Sequence, residues 1–268
     1  MQAFEYCRPA SVGEAQALLR EDGVDAKLLA GGQSLLASMK LGLLAPARLI
    51  DLGRIPALRE SREAQGRLSV GAMQTHGALA ASALLRRWVP GLARMAGHIA
   101  DAQVRAMGTI GGSLANSDPA ACWPAGVLAL GATLVSERRE IAADDFFQGL
   151  FTTALESDEL LCAVHLPRPR RFAYLKFEQP ASRFALVGVA VAQFDDGAVR
   201  VALTGTAQGA VRLPAFEQAL ARRFAPEALV GLRVEEDLMA ADLHAGADYR
   251  AHLAAVLARR VVQQALEQ

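Results

Sequence analysis

The chain has 268 residues, 52% of them hydrophobic, 21% charged and 6% aromatic, and its 28 basic side chains balance 28 acidic ones. So much apolar content without net charge excludes an intrinsically disordered chain, and the lack of a basic excess argues against a nucleic-acid partner. No apolar run reaches the roughly 18 residues that a membrane helix needs. At about 150 residues per domain the length suits two domains or one large one. The N-terminal MQAFEYCRPA lacks the basic-then-apolar signature of a secretory signal. Cys7, Cys122 and Cys162 form no even disulfide set, have no Cys-x-x-Cys spacing, and are too few to hold an iron–sulfur cluster alone. Each reads as a small buried hydrophobe, and a reducing, cytoplasmic setting is expected. A neutral chain this apolar is poorly protected against association, which points to partner subunits.

In chain order, Ser11 and Glu14 have capping-box spacing and open a helix over 15–20. A strand follows over 26–30 and ends at Gly31-Gly32. Ser34 is placed to cap a helix carrying Leu35, Leu36 and Met39 on one face. Strands are expected at 47–51 and 67–71, then a helix capped by Thr75. Helices at 83–88 and 92–100 are divided by Pro90 and Gly91. A glycine-rich loop, 108–113, leads to a helix over 119–130 that Gly131 should stop, and 132–136 and 160–166 read as strands. The Pro- and Arg-rich stretch 167–171 is the best candidate domain boundary. Beyond it, strands at 172–177, 186–194 and 198–205 precede helices at 215–224 and 248–266. Asp195-Asp196-Gly197 is a hairpin turn signal. In the last helix, Tyr249, Leu253, Val256, Leu257 and Val261 recur at helical spacing and should face the sheet. No internal repeat or low-complexity stretch is visible.

Two segments carry chemistry: Ala30-Gly31-Gly32-Gln33-Ser34, and Gly108-Thr109-Ile110-Gly111-Gly112-Ser113. Adjacent glycines tolerate left-handed backbone and can turn successive N–H groups toward one anion. Ser34 and Ser113 add hydroxyl donors, a set that suits a pyrophosphate. Taken singly, each Gly-Gly pair is more often a tight turn than a ligand site. Neither segment matches the Gly-x-Gly-x-x-Gly dinucleotide fingerprint or the Gly-x-x-x-x-Gly-Lys of nucleoside triphosphatases. The residues alone support a binder of a phosphorylated cofactor in an α+β domain and no further.

Four ordered segments resemble the FAD-binding medium subunit of the molybdenum hydroxylases, the xanthine dehydrogenase and carbon monoxide dehydrogenase family. They are LLAGGQSLLASMKLGLLAPARLIDL (28–52), VRAMGTIGGSLANSDPAA (104–121), YLKFEQPASRFALVGVAVA (174–192) and DLHAGADYRAHLAAVLARR (242–260). The resemblance implies an α+β fold with a two-lobed FAD-binding domain of the vanillyl-alcohol-oxidase type over 1–168, its lobes about 1–55 and 56–168. A smaller α+β domain with antiparallel sheet and helices would occupy 169–268. FAD would lie between the lobes, held by Ala30, Gly31, Gly32, Gln33, Ser34 and Leu35 from one side. Gly108, Thr109, Ile110, Gly111, Gly112 and Ser113 would close from the other. Thr75 and His76 match a third loop near the cofactor, and Asp118, Leu161 and Lys176 match positions near the flavin ring or ribityl chain. A Lys176 cation at the flavin's pyrimidine edge would stabilise charge that builds on reduction. Read without the family, Lys176 is a solvent-facing strand lysine and His76 a structural hydrogen-bonder.

The same resemblance implies no catalytic side chain here. Hydroxylation would occur at molybdopterin in a large partner subunit, and electrons would pass through [2Fe–2S] clusters of a small partner to FAD. An external acceptor such as NAD+, oxygen or a quinone would then take them, in a dimer of heterotrimers. One departure stands out: where the family often reads Asp-Pro-Ala-Ala-Asp, this chain has Asp118-Pro119-Ala120-Ala121-Cys122, so a thiol replaces the second acid. The chain also lacks the inserted cysteine-rich loop that some relatives carry. A self-sufficient flavin reductase or oxidase of the same fold, and a flavin-free scaffold subunit, are the alternatives.

Overall fold

The computed structural model describes residues 2–21 and 23–268. It begins with a parallel sheet of β1 (Glu5–Cys7), β2 (Ala26–Leu29) and β3 (Arg48–Asp51) in the order β1-β3-β2, with α1 (Val12–Leu19) and α2 (Leu35–Lys40) in the crossovers. Ser11 caps α1 by accepting from Glu14 N at 3.1 Å, while the Glu14 carboxylate reaches Ala10 N at 2.8 Å. The expected cap at Ser34 does not form. Ser34 has helical dihedrals (φ −102°, ψ −49°) and makes no cap bond, whereas a capping hydroxyl needs extended backbone to reach the second or third amide.

The chain continues, in order, through β4 (Ser61–Ala64), β5 (Arg67–Gly71), α3 (His76–Ala81), α4 (Ala83–Trp88), α5 (Pro90–Gly97), α6 (Ala102–Met107), α7 (Ile110–Asn116), α8 (Cys122–Leu130), β6 (Thr133–Ser136), β7 (Glu140–Ala142), α9 (Ala143–Phe146), β8 (Phe147–Gly149), β9 (Thr152–Thr153) and β10 (Leu161–Leu166). Five of these strands form an antiparallel sheet in the order β4-β5-β10-β6-β7. The two expected helices form with the break at Val89, but Pro90 and Gly91 belong to the second, opening α5. Proline is at home in a first helical turn, where its missing N–H has no partner to lose, and a Cβ on Gly91 would lie 2.2 Å from Phe172 O. Residues 108–113 are not one loop. Thr109 accepts from Gly112 N at 3.1 Å and caps α7, so 110–113 are helical. Gly131 ends α8 with φ +59°, as expected of a left-handed stop.

The last part is an antiparallel sheet of β11 (Arg171–Glu178), β12 (Ala185–Gln193), β13 (Val199–Thr206) and β14 (Gly209–Arg212) in sequential order, with α10 (Pro214–Arg222) and α11 (Ala247–Leu266). Gly197 takes φ +86° in the expected hairpin turn. Period-two alternation divides β12 between two cores. Val187, Val189 and Val191 join Leu257, Val261 and Val262 of α11, while Ala190 and Ala192, with Ala202 of β13, join Trp123, Val127 and Leu128 of α8. All nine residues of α8 are buried. The buried face of α11 differs from the expected stripe. It is Arg250, Ala251, Ala254, Leu257, Ala258, Val261, Val262 and Ala265, and Tyr249 is exposed. Close packing on the sheet favours alanines, which a search for large apolar residues overlooks. Arg250 is tolerated inside because it donates to Leu186 O and pairs with Asp242, each at 2.7 Å. Of the cysteines only Cys122 is fully buried, and Cys7 and Cys162 are half-buried.

Candidate cofactor-binding cleft

A cleft of about 640 Å³ lies between the two glycine segments, near the middle of the roughly 300–1,000 Å³ range of small-molecule sites. The segments touch at its floor. A Cβ on Gly31 would sit 2.2 Å from Met107 O and 2.7 Å from Gly108 Cα, and one on Gly112 would sit 3.2 Å from Ala30 Cβ. Glycine is therefore required at Gly31 for close approach, whereas at Gly32 it is required for backbone, with φ +73°.

The two segments present different donors. Among the described residues, the N–H groups of Gly32, Gln33, Ser34 and Leu35 have no protein acceptor. In the second segment every amide from 110 to 113 is occupied. Ile110 N donates to Gln74 O at 3.0 Å, Gly111 N to Ala72 O at 2.8 Å and Ser113 N to Thr109 O at 3.0 Å, and Gly112 N is held by Thr109 Oγ1. The expectation that both glycine pairs offer amides to an anion thus holds for the first segment only, because helix formation from Thr109 uses the amides of the second. There the Thr109 amide and the side chains of Thr109 and Ser113 remain.

Of the residues singled out from the sequence, Ala30, Gly31, Gly32, Gln33, Ser34, Leu35, His76, Gly108, Thr109, Gly111, Gly112, Ser113, Asp118, Leu161 and Lys176 all line the cleft. Two do not. Ile110 is fully buried in the core, and Thr75 caps α3 by accepting from Ala78 N at 3.1 Å while bridging Thr109. Asp118 accepts from Ala120 N at 2.8 Å, and burial raises its pKa. Lys176 is not the solvent-facing lysine of a plain strand reading. Its side chain is 6% exposed and lies 3.4 Å from Glu178, and Nζ donates to Arg183 O. Its charge is therefore already partnered. Cys122, in the place of an acid, lies at the start of α8 facing the cleft, with its thiol pKa raised by burial.

Sequence reasoning missed part of the wall. Ala100, Phe151 and Arg183 all line the cleft, and each has positive φ, at 44°, 51° and 59°. Ser117, with φ 47°, holds Phe151 by accepting from its N–H at 3.2 Å. Four of the five described non-glycine residues with positive φ are thus at this cleft or beside it, and such strain concentrates at functional sites. Asn116, also in the wall, could have been found from the sequence, since it follows Gly112 and Ser113 at helical spacing on α7.

A cleft with a run of partnerless amides from one segment and hydroxyl donors from the other has the chemistry of a site for a phosphorylated cofactor. Residues 2–169 match the family described as the FAD binding domain in molybdopterin dehydrogenase. The chain is 38% identical to the carbon monoxide dehydrogenase medium chain of Hydrogenophaga pseudoflava, over 98% of this chain and 96% of that one. It is 36% identical to the nicotine 6-hydroxylase medium subunit of Paenarthrobacter nicotinovorans, over 99% and 98%. A solved structure of reconstituted CO dehydrogenase from Oligotropha carboxidovorans superposes with a TM-score of 0.91 at 36% identity, covering 98% of each chain. The chain belongs to the FAD-binding domain family of the molybdopterin dehydrogenases, as an oxidoreductase subunit whose cofactor is FAD.

Proposed function

We propose that this chain holds FAD in the cleft between the two glycine segments. It would receive electrons from [2Fe–2S] clusters of a small partner subunit and pass them to an external acceptor, while a large molybdopterin subunit hydroxylates the substrate. The observation that carries the reading is the run of free amides from Gly32 to Leu35 facing Ser113 across a cleft. Those amides would hold the pyrophosphate from one side, and Thr109 and Ser113 would supply hydroxyl donors from the other. FAD supplies reversible storage of two electrons, taken one at a time. The protein's own part is to fix the cofactor, exclude water and set its potential. Asp118, Leu161 and Lys176 would face the ring or ribityl portion, the partnered Lys176 acting through a fixed position rather than as a free cation.

In this reading residues 1–168 form the two-lobed FAD domain and 169–268 the C-terminal domain, in a cytoplasmic dimer of heterotrimers. Among the described residues no helix is long and apolar enough to cross a membrane. The names of the relatives, medium chain and medium subunit, support partners of other sizes. Purifying the natural complex and assaying flavin, iron and molybdenum tests the whole. The expected result is a yellow preparation that releases FAD on denaturation and contains iron and molybdenum in two further chains. A colourless chain without affinity for FAD would show a scaffold instead. Rapid reduction by NAD(P)H with substrate turnover by this chain alone would show a self-sufficient reductase.

A further inference from the structure

His76 is the first residue of α3, beneath the second glycine segment, and is 5% exposed. Its ring is held by a donor whose direction is fixed: Trp123 Nε1, which bears the only N–H of the indole and cannot accept, donates to His76 Nδ1 at 3.0 Å. Nδ1 must therefore carry a lone pair, so in the neutral ring the proton is on Nε2. Among the described residues Nε2 has no hydrogen-bond partner, and it is absent from the fully enclosed orphan atoms, which are Ser61 Oγ, Tyr174 Oη and Gln264 Oε1. It thus has an open side. The ring lines the cleft, and its Nε2 edge packs on Gly108, where a Cβ would come within 2.8 Å of Nε2. His76 N also donates to Gly108 O at 2.9 Å, so ring and glycine keep one register.

Resting on the FAD reading above, we infer that His76 is a tautomer-locked donor whose Nε2–H serves an oxygen of the bound cofactor beside Gly108, with Trp123 as its positioning residue. The arrangement answers a shortage. The amides at 110–113 are consumed by the protein, so beyond the Thr109 amide the donors on that wall come from side chains. A neutral imidazole supplies one without adding a buried charge. Burial and the Arg105 guanidinium on α6, the charged group acting on the ring, push the His76 pKa down to about 4. The ring therefore stays neutral throughout the physiological range and its donor does not switch with pH.

The test combines the tautomer with the affinity for FAD, both measured on the full chain. Long-range proton–nitrogen NMR of 15N-histidine-labelled protein should show a protonated Nε2 and an unprotonated Nδ1, unchanged from pH 5 to pH 8. FAD should then slow exchange of the Nε2 proton. His76→Phe should lose roughly tenfold to a hundredfold in FAD affinity, the scale of a hydrogen bond to a charged group. His76→Gln, whose amide can both accept from Trp123 and donate onward, should recover most of that loss. Trp123→Phe should give mixed tautomers and an intermediate affinity. A proton on Nδ1, a titration near pH 6.5, or a folded His76→Phe chain with undiminished affinity would overturn the inference. Should His76→Phe fail to fold, the tautomer of the native chain decides. A native chain that takes up no FAD while showing the Nε2–H tautomer would overturn the cofactor reading, and the inference falls with it.

Discussion

Segments 30–35 and 108–113 are built from the same residue types, paired glycines followed at once or nearly so by serine, yet their backbones have opposite fates. In the first, Gly32 turns with φ +73°, and four successive amides are left without protein acceptors. In the second, Thr109 starts a helix and the amides at 110–113 are spent on Gln74, Ala72 and Thr109. There the glycines serve packing, since a Cβ on Gly111 would meet Ala72 Cβ at 2.5 Å and Ala72 O at 2.7 Å. The contrast shows that a glycine pair supplies either donors or closeness, and the hydrogen-bond inventory of the neighbours decides which.

Substitutions should separate the two segments. The largest effect is expected at the packing glycine: Gly111→Val should cost about 3 kcal/mol through overpacking against Ala72, read as a lower urea midpoint with FAD lost in consequence. Close to it in size is the pH response of the second wall. The folded pKa of His76 lies near 4, below the 6.5 of an unstrained histidine, so the unfolded chain binds the extra proton. Stability should fall as pH drops from 6.5 toward 4, by up to about 3 kcal/mol from this group. His76→Gln should flatten that part of a denaturation series, and an unchanged slope would remove the role of this ring. Gly32→Ala should cost about 1–2 kcal/mol for left-handed backbone. Unlike Gly111→Val it should lower FAD affinity more than stability, since its clash is with the end of the Leu36 side chain rather than with backbone. Thr109→Ala removes the cap on Gly112 N and should cost about 1 kcal/mol of stability, with a smaller effect on cofactor binding. The smallest change is expected at Lys176→Met. Glu178 and Arg183 O already partner the cation, so the flavin potential should move down by only about 20 mV, near 1 kcal/mol for a two-electron couple. Spectroelectrochemistry of the loaded protein would measure it.

Features that depend on a few neighbouring residues were legible in the sequence: the Ser11 cap, the Gly131 stop, the Gly197 turn and the valine-rich β12. So were the two glycine segments, because adjacent glycines beside hydroxyls are a local signal. What escaped depends on distant contacts. The six-residue α6 has a mixed composition and is fixed by the Asp101 side chain, which accepts from Val104 N at 2.8 Å, and by its place beside α3. The inward face of α11 was legible only in part: Leu257 and Val261 lie on it, but its alanines carry little weight until the distance to the sheet is known. Ala100, Phe151 and Arg183 could not be assigned to the site, since L-residues rarely take positive φ and nothing adjacent in sequence announces it. The fate of the 110–113 amides was likewise hidden, because two of their acceptors, Ala72 O and Gln74 O, lie on a segment some 40 residues upstream.

The alanine side of β12 has a mechanical consequence. Because Ala190, Ala192 and Ala202 merge with α8 into one apolar layer that also holds Trp123, the sheet that carries Lys176 cannot swing away from the helix that steadies His76 without opening that layer to water. Two parts of the cleft lining are thereby tied together. For a molecule that hands on electrons over a gap, such stiffness keeps the hopping distance constant from one turnover to the next.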